Sequence, residues 1–360
     1  MFEKAVNWLD GYLTVNPWYD LIIYKDGECI FRHFEGYRDA QKTVKVNGKE
    51  RVNLYSCSKP ITVTLGMMMV EKGVISLDDP LYKYIPEWEN VKVLKNGELK
   101  KSEKPVLLRH LFTMTSGIPY DFTCKSITDL KVNTNGECST VDVARALANE
   151  PLRFEPGDSY LYGMSHDILA AVLEVASGEK FEDLAKRLIF DPLNMKDTTF
   201  LPTDADFDTI CEQYEYNSEL KKTVERRKTV PYRYGNLHAS GGAGCVCTTE
   251  DYIKFGEALR KCELVSKETL DLMTKNHLND AGQKAFIIKP YGYGLGLRVS
   301  QKEGDGIIDF GWDGAAGSYF AVVPKYNLTV FVCQHILFSP KQEMRLGVLP
   351  YILEEVEKMA

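Results

Sequence analysis

The sequence predicts an α+β fold: an antiparallel sheet built from both chain termini and flanked by helices, with a mainly helical domain inserted between its two parts. Three observations predict this. Short apolar segments bounded by turn residues lie near the N-terminus, helical patterning fills the middle of the chain, and strand patterning returns after residue 286. The division that follows is a sheet domain of residues 1–58 and 286–360 and an inserted helical domain of residues 59–285. A pocket is expected at their seam.

Taken in order, residues 2–13 read as an amphipathic helix. Leu21-Ile22-Ile23-Tyr24 and Cys29 to Phe34 flank Lys25-Asp26-Gly27-Glu28 and read as a β-hairpin around an Asp-Gly turn. A second turn at Asn47-Gly48 precedes a helix from Ile61 to Glu71, which Gly73 ends. Further helices are predicted at 107–113, 140–149, 165–177, 180–190, 249–261 and 266–275. Strands follow at Tyr291–Val299, Ile307–Phe310, Ser318–Val323 and Leu328–Cys333, and a helix over 339–358 closes the chain. Two polar stretches, 119–139 and 203–236, show no periodicity and read either as lids or as plain surface insertions.

The chain has 360 residues and a formal net charge of −7, with no basic stripe, which argues against nucleic acid and anionic membrane as partners. The one cationic cluster, Lys221-Lys222 to Arg226-Arg227-Lys228, sits among acids and reads as a solvated face. The first residues lack the basic and apolar regions of a signal peptide, and no apolar run is long enough to span a membrane. Nine cysteines without framework spacing indicate reduced thiols, and so a cytoplasmic protein. Cys245-Val246-Cys247 lacks zinc-site spacing, and none of the six histidines has metal-site spacing. No metal and no cofactor are expected.

The candidate chemistry lies in Ser56-Cys57-Ser58-Lys59 at the head of an apolar helix. A serine needs a base to become a nucleophile, and a lysine three residues on shares its helical face. Three further segments stand out. Phe154-Glu155-Pro156-Gly157-Asp158-Ser159-Tyr160-Leu161-Tyr162-Gly163 leads into a helix, and a phenol at Tyr162 near a lysine can act as a base or relay protons. Ser240-Gly241-Gly242-Ala243-Gly244 precedes a helix and reads either as an anion site or as close backbone packing. Gly311-Trp312-Asp313-Gly314-Ala315-Ala316-Gly317 runs into a strand, where small residues let a substrate carbonyl approach backbone N–H groups. Each has a plainer explanation: Ser56 as a helix cap with Lys59 solvated, Tyr162 as a packed core residue, Trp312 as a core or pocket-wall aromatic. Ser165-His166-Asp167 looks like a compressed triad, but consecutive side chains on a helix point apart, and helix N-terminal polar residues explain it better.

Together the segments resemble the serine β-lactamase and penicillin-binding superfamily, in its class C β-lactamase-related branch and closest to the family VIII carboxylesterases. Also carrying the likeness are Val70 to Pro80, Leu108 to Ile118, Asp191 to Thr198 and Ser240 to Asp251. The resemblance implies a β-lactamase/transpeptidase-like fold, with Ser56 the acylated nucleophile, Lys59 its proton acceptor and Tyr162 a second base or relay. It implies an oxyanion hole of the Ser56 and Ala315 backbone N–H groups. Met164 stands where β-lactamases carry the asparagine of Tyr-x-Asn, and Trp312-Asp313-Gly314 stands in the slot of Lys/His-Thr/Ser-Gly. The alternative register there is Asp309-Phe310-Gly311. Met164, Trp312, Asp313 and Gly314 are thus the expected substrate-binding set. An Asp313 facing the site would repel a carboxylate and favour a neutral ester or a free amine. The expected function is a carboxylesterase-like serine hydrolase on small acyl esters. A D-amino-acid peptidase or amidase, a β-lactamase, or a non-catalytic binding protein that keeps the fold are the alternatives. The expected partner is a small-molecule acyl substrate; the oligomeric state is open.

Overall fold

The computed structural model describes residues 1–226, 233–302 and 306–359. Its centre is a seven-stranded sheet. The strands in chain order are β1 (Trp18–Lys25), β2 (Glu28–Gly36), β3 (Gly292–Tyr293), β4 (Arg298–Lys302), β5 (Gly306–Asp313), β6 (Tyr319–Val323) and β7 (Leu328–Cys333). They lie in the spatial order β2-β1-β7-β6-β5-β4-β3, with every neighbouring pair antiparallel. An N-terminal strand and a C-terminal strand therefore pair within one sheet, one strand in from the β2 edge, where Ile22 faces Phe331 across the β1–β7 pair. The hairpin turn has Asp26 at φ 54° and Gly27 at φ 93°, the left-handed pair whose twist matches the flanking strands.

Side chains alternate along these strands, so the sheet serves two cores. Tyr19, Leu21, Ile23, Tyr319, Ala321, Val330 and Val332 face an outer core with residues of α1 (Glu3–Asp10) and of the helix that closes the chain, Glu343–Glu357. Trp18, Ile22, Phe320, Val322 and Phe331 face the main core, which continues through the helical part of the molecule. There α2 (Ser58–Glu71) is buried along almost its whole length. A helix apolar on every side needs neighbours on every side. They include α3 (Ser165–Ser177) and the loop 240–245, whose Cys245 N–H donates to the Ser58 hydroxyl at 3.0 Å. The helix Thr249–Arg260, here α4, packs against β7 and β1, and the closing helix is α5. Among the described residues no helix is long and apolar enough to cross a membrane.

The predicted helices and strands recur, with differences, and the structure adds an unpredicted hairpin of Lys92–Lys95 with Glu98–Lys101 and a helix, Asp280–Ala285. The 119–139 stretch contains a helix, Lys125–Asn133. The 203–236 stretch contains a helix, Asp204–Thr209, and a hairpin of Gln213–Asn217 with Lys222–Arg226. That hairpin pairs with Ile336–Leu337, while 227–232, with Arg227 and Lys228 of the cationic cluster, lie outside the described residues. The predicted strand Tyr291–Val299 is broken into β3 and β4, because Gly296 at φ 77° turns the chain between them. The last helix starts at Glu343 rather than 339, after a turn at Ser339-Pro340.

Phe331 joins the two ends of the chain: it is fully buried and stacks on Tyr252 of α4 at 4.3 Å between centroids. Phe331→Ala is expected to cost about 3–5 kcal/mol. Urea denaturation will read this as a lower midpoint with an unchanged slope.

Candidate active site

Ser56 sits in a single 3-10 turn, Tyr55–Cys57, that runs directly into α2. Tyr55 before it has φ 51°, a left-handed conformation that costs a residue with a Cβ roughly 1–3 kcal/mol. The strained turn is held from both sides. Leu54 N–H donates to the Cys245 carbonyl at 2.9 Å, and the Tyr55 hydroxyl donates to Gln213 Oε1 at 2.7 Å. Ser56 is left half-buried on the wall of a cavity of about 540 Å³.

Lys59 follows on the first turn of α2 and is 0% exposed. Its Nζ stands 3.4 Å from Ser56 Oγ and donates to the Gly242 carbonyl at 2.7 Å. The ring of Tyr162 lies 4.6 Å from the same nitrogen and that of Tyr120 lies 5.4 Å away. Two aromatic faces thus wrap a cation that no bulk water reaches. The Tyr162 hydroxyl accepts from Trp312 Nε1 at 3.3 Å, and the two rings pack 5.6 Å apart. Trp312 is therefore both a wall aromatic and a partner of the tyrosine. Tyr120 was not anticipated from the sequence; burial raises its phenol well above the ordinary range and keeps it protonated.

Beside the Ser56 turn lie the end of β5 and the turn after it, where a Cβ on Gly314 would come within 2.4 Å of the Leu54 carbonyl oxygen. Trp312, Asp313, Gly314 and Ala315 all line the cavity with Ser56, whereas Gly311 is paired inside the sheet opposite Ala321. Gly314 N–H is used by the Ser318 carbonyl at 2.8 Å. Among the described residues, neither Ser56 N–H nor Ala315 N–H has an acceptor within the protein. Two unused donors on one cavity are what an oxyanion requires.

Two expectations change. Met164 does not belong to the cavity: it is 0% exposed and packs in the main core as the residue before α3, so it forms no substrate surface. Asp313 does reach the cavity, but its carboxylate accepts from Arg298 at 2.9 Å, and the same fully buried guanidinium pairs with Asp309 at 2.9 Å. The carboxylate is thus an anchor of the β4–β5 pair as well as a charge at the rim. The remaining wall is contributed by Tyr160, Phe286 and Ile287 on one side and by Glu343, Arg345 and Leu346 of α5 on the other.

The glycine run resolves to close packing. A Cβ on Gly241 would lie 2.6 Å from the His166 carbonyl oxygen, and one on Gly242 would lie 2.4 Å from Asp167 Oδ2. Only glycine lets this loop wedge between α2 and α3.

A family model described as Beta-lactamase matches residues 19–346. Esterase EstB of Burkholderia gladioli is 27% identical over 272 residues, covering 69% of this chain and 67% of EstB. Among solved structures, EstCE1, described as a hydrolase with promiscuous acyltransferase activity, has a TM-score of 0.81 at 21% identity over 97% of both chains. The LovD6 mutant of simvastatin synthase from Aspergillus terreus has a TM-score of 0.82 at 19% identity, over 99% of this chain and 97% of that one. The fold is accordingly the β-lactamase/transpeptidase-like one.

His166, 0% exposed beside the site, gives a pH prediction. Burial, with Lys59 adding to it, pushes its imidazole from 6.5 down to about 3. Below pH 6.5 the unfolded chain binds a proton that the folded one refuses, so stability is full above that pH and falls as pH drops towards 3. Between pH 6.5 and 4.5 wild type is expected to lose about 2–3 kcal/mol more than His166→Asn, measured by urea denaturation at both pH values.

Proposed function

Because the chain belongs to the beta-lactamase family, we propose that it is a serine hydrolase that forms an acyl-enzyme on Ser56 and works as a carboxylesterase on small acyl esters. The observation that carries this reading is Ser56 Oγ 3.4 Å from the buried Lys59 Nζ on the wall of an open cavity. As an amine, Lys59 takes the Ser56 proton while Oγ adds to the ester carbonyl. The Gly242 carbonyl holds the ammonium that results, and the Ser56 and Ala315 N–H groups receive the oxyanion. Tyr162, between Lys59 and Trp312, passes the proton to the departing alkoxide. Water then adds to the acyl-enzyme by the same route, and Ser56 regains its proton.

The apolar part of the wall supports an uncharged substrate, with Glu343 and Arg345 the charged groups contributed by α5. Tyr160, Phe286, Ile287 and Trp312 offer apolar surface, and the third-motif slot carries Trp312 where a carboxylate-binding cation would stand and Asp313 where its hydroxyl would. Asp313 is already paired with Arg298, which weakens the case for a substrate ammonium there. A second reading, acyl transfer to an alcohol in place of water, is favoured by the rim: Ile287 is 83% and Phe338 64% exposed beside the cavity, a surface on which an apolar acceptor can rest.

The test is labelling with a fluorophosphonate and, separately, with a fluorescent penicillin, the modified residue being found by mass spectrometry. Ser56 is expected to react with the fluorophosphonate and poorly with the penicillin. Ser56→Ala is expected to abolish labelling and turnover of p-nitrophenyl butyrate. Equal labelling by penicillin would favour a β-lactamase or peptidase, and no labelling of the folded protein a binding role. Adding a long-chain alcohol during turnover separates the two readings: butyrate alone means hydrolysis, and butyrate ester means transfer.

A further inference from the structure

Asp167 has no part in the chemistry described so far, yet it lies behind the catalytic lysine. It is 4% exposed, on the first turn of α3. Its Oδ1 accepts from the Ser240 hydroxyl and, at 3.3 Å, from Gly242 N–H. Ser240 Oγ in turn accepts from Ala243 N–H at 3.1 Å, so its own proton is committed to the carboxylate. The other face of the Gly242 peptide is the carbonyl that receives Lys59 Nζ at 2.7 Å. One peptide group thus links a buried carboxylate to a buried ammonium. Thr62, one turn along α2, donates to the neighbouring Gly241 carbonyl at 2.7 Å and fixes the loop from the lysine's side.

We propose that Asp167 is a positioning residue for Lys59: it holds Ser240 and the Gly242 peptide so that the Gly242 carbonyl faces Nζ, and it places a negative charge behind the lysine. This rests on the serine-hydrolase reading above. Burial raises the Asp167 carboxyl above its ordinary range, and against it act the charge of Lys59 and the Ser240 hydroxyl and Gly242 N–H, which donate to Oδ1 and favour the ionised form. The other titratable groups around Lys59 are Cys57 on its own turn, Tyr120 and Tyr162 with their rings against Nζ, and His166 on α3. Burial keeps Cys57 and Tyr120 protonated and His166 neutral, so none of these three offers a counter-charge.

The experiment compares wild type, Asp167→Asn and Ser240→Ala. The rate of fluorophosphonate labelling at Ser56 is followed from pH 5 to 10, with kcat and KM on p-nitrophenyl butyrate measured alongside. Asparagine keeps the acceptor oxygen and removes the charge. Lys59 then loses its proton more readily and becomes a weaker base. The acid limb of labelling is expected to move down by about one pH unit, and the high-pH plateau to fall roughly three- to tenfold with KM unchanged within about twofold. Ser240→Ala keeps the charge and loosens the loop; its plateau is expected to fall a few-fold with the limb in place. An unmoved limb in folded Asp167→Asn overturns the proposal, whatever its plateau does. If Asp167→Asn does not fold, a wild-type plateau in Ser240→Ala overturns it. Failure of wild type itself to label at Ser56 overturns the serine-hydrolase reading and this proposal with it.

Discussion

The site depends on one buried amine, which must be able both to carry a proton and to give it up. Lys59 has no solvent to hold its charge, so every element around it supplies part of what water would. The Gly242 carbonyl accepts from Nζ, two aromatic faces lie within 4.6 and 5.4 Å of it, and Asp167 stands behind the peptide that carries the carbonyl. A buried ammonium without such partners would be expelled or neutralised. The closeness of α2, α3 and the 240–245 loop follows from this requirement, and so do the glycines at 241 and 242, where any side chain would collide with α3.

The sheet does the complementary task at the cavity. It carries Trp312 to Ala315 to the wall on which Ser56 lies, and the β4–β5 pair is pinned there by Arg298. Opposite Arg298 in register is Gly311, and Asp309 and Asp313 lie two residues to either side on the same face. A buried triad of one cation and two carboxylates is costly to desolvate, and its best-attested use is to fix register. Here a slip of one residue would turn Asp313 and Trp312 to opposite faces and remove the indole from Tyr162.

Much of this was legible in the sequence, and what was not has a physical cause. The hairpin at Asp26-Gly27 and the helix after Ser56 announce themselves by turn chemistry and period. Ser56 and Lys59 come together as their spacing suggests, and Tyr162 joins them as the family resemblance implies. Gly242 as a lysine ligand was hidden because a backbone carbonyl has no residue signature. The Arg298 triad was hidden because cross-strand neighbours become visible only once register is known. In the sequence Asp167 is indistinguishable from ordinary helix N-terminal polarity, since nothing there tells which loop covers it. Met164 was misplaced because a motif position says which residue follows the tyrosine, not which way its side chain turns. The hairpin 213–226 carries alternation too short and too polar to rise above its surroundings.

The central claim is that Lys59 delivers its effect as the base beside Ser56, not as a fixed positive charge. The direct measurement is the pre-steady-state burst of p-nitrophenol from p-nitrophenyl butyrate in Lys59→Arg, whose guanidinium keeps a charge but does not give up its proton. The account predicts that the acylation burst slows by roughly 10²–10⁴ while the protein stays folded. A burst of wild-type rate in folded Lys59→Arg would contradict it.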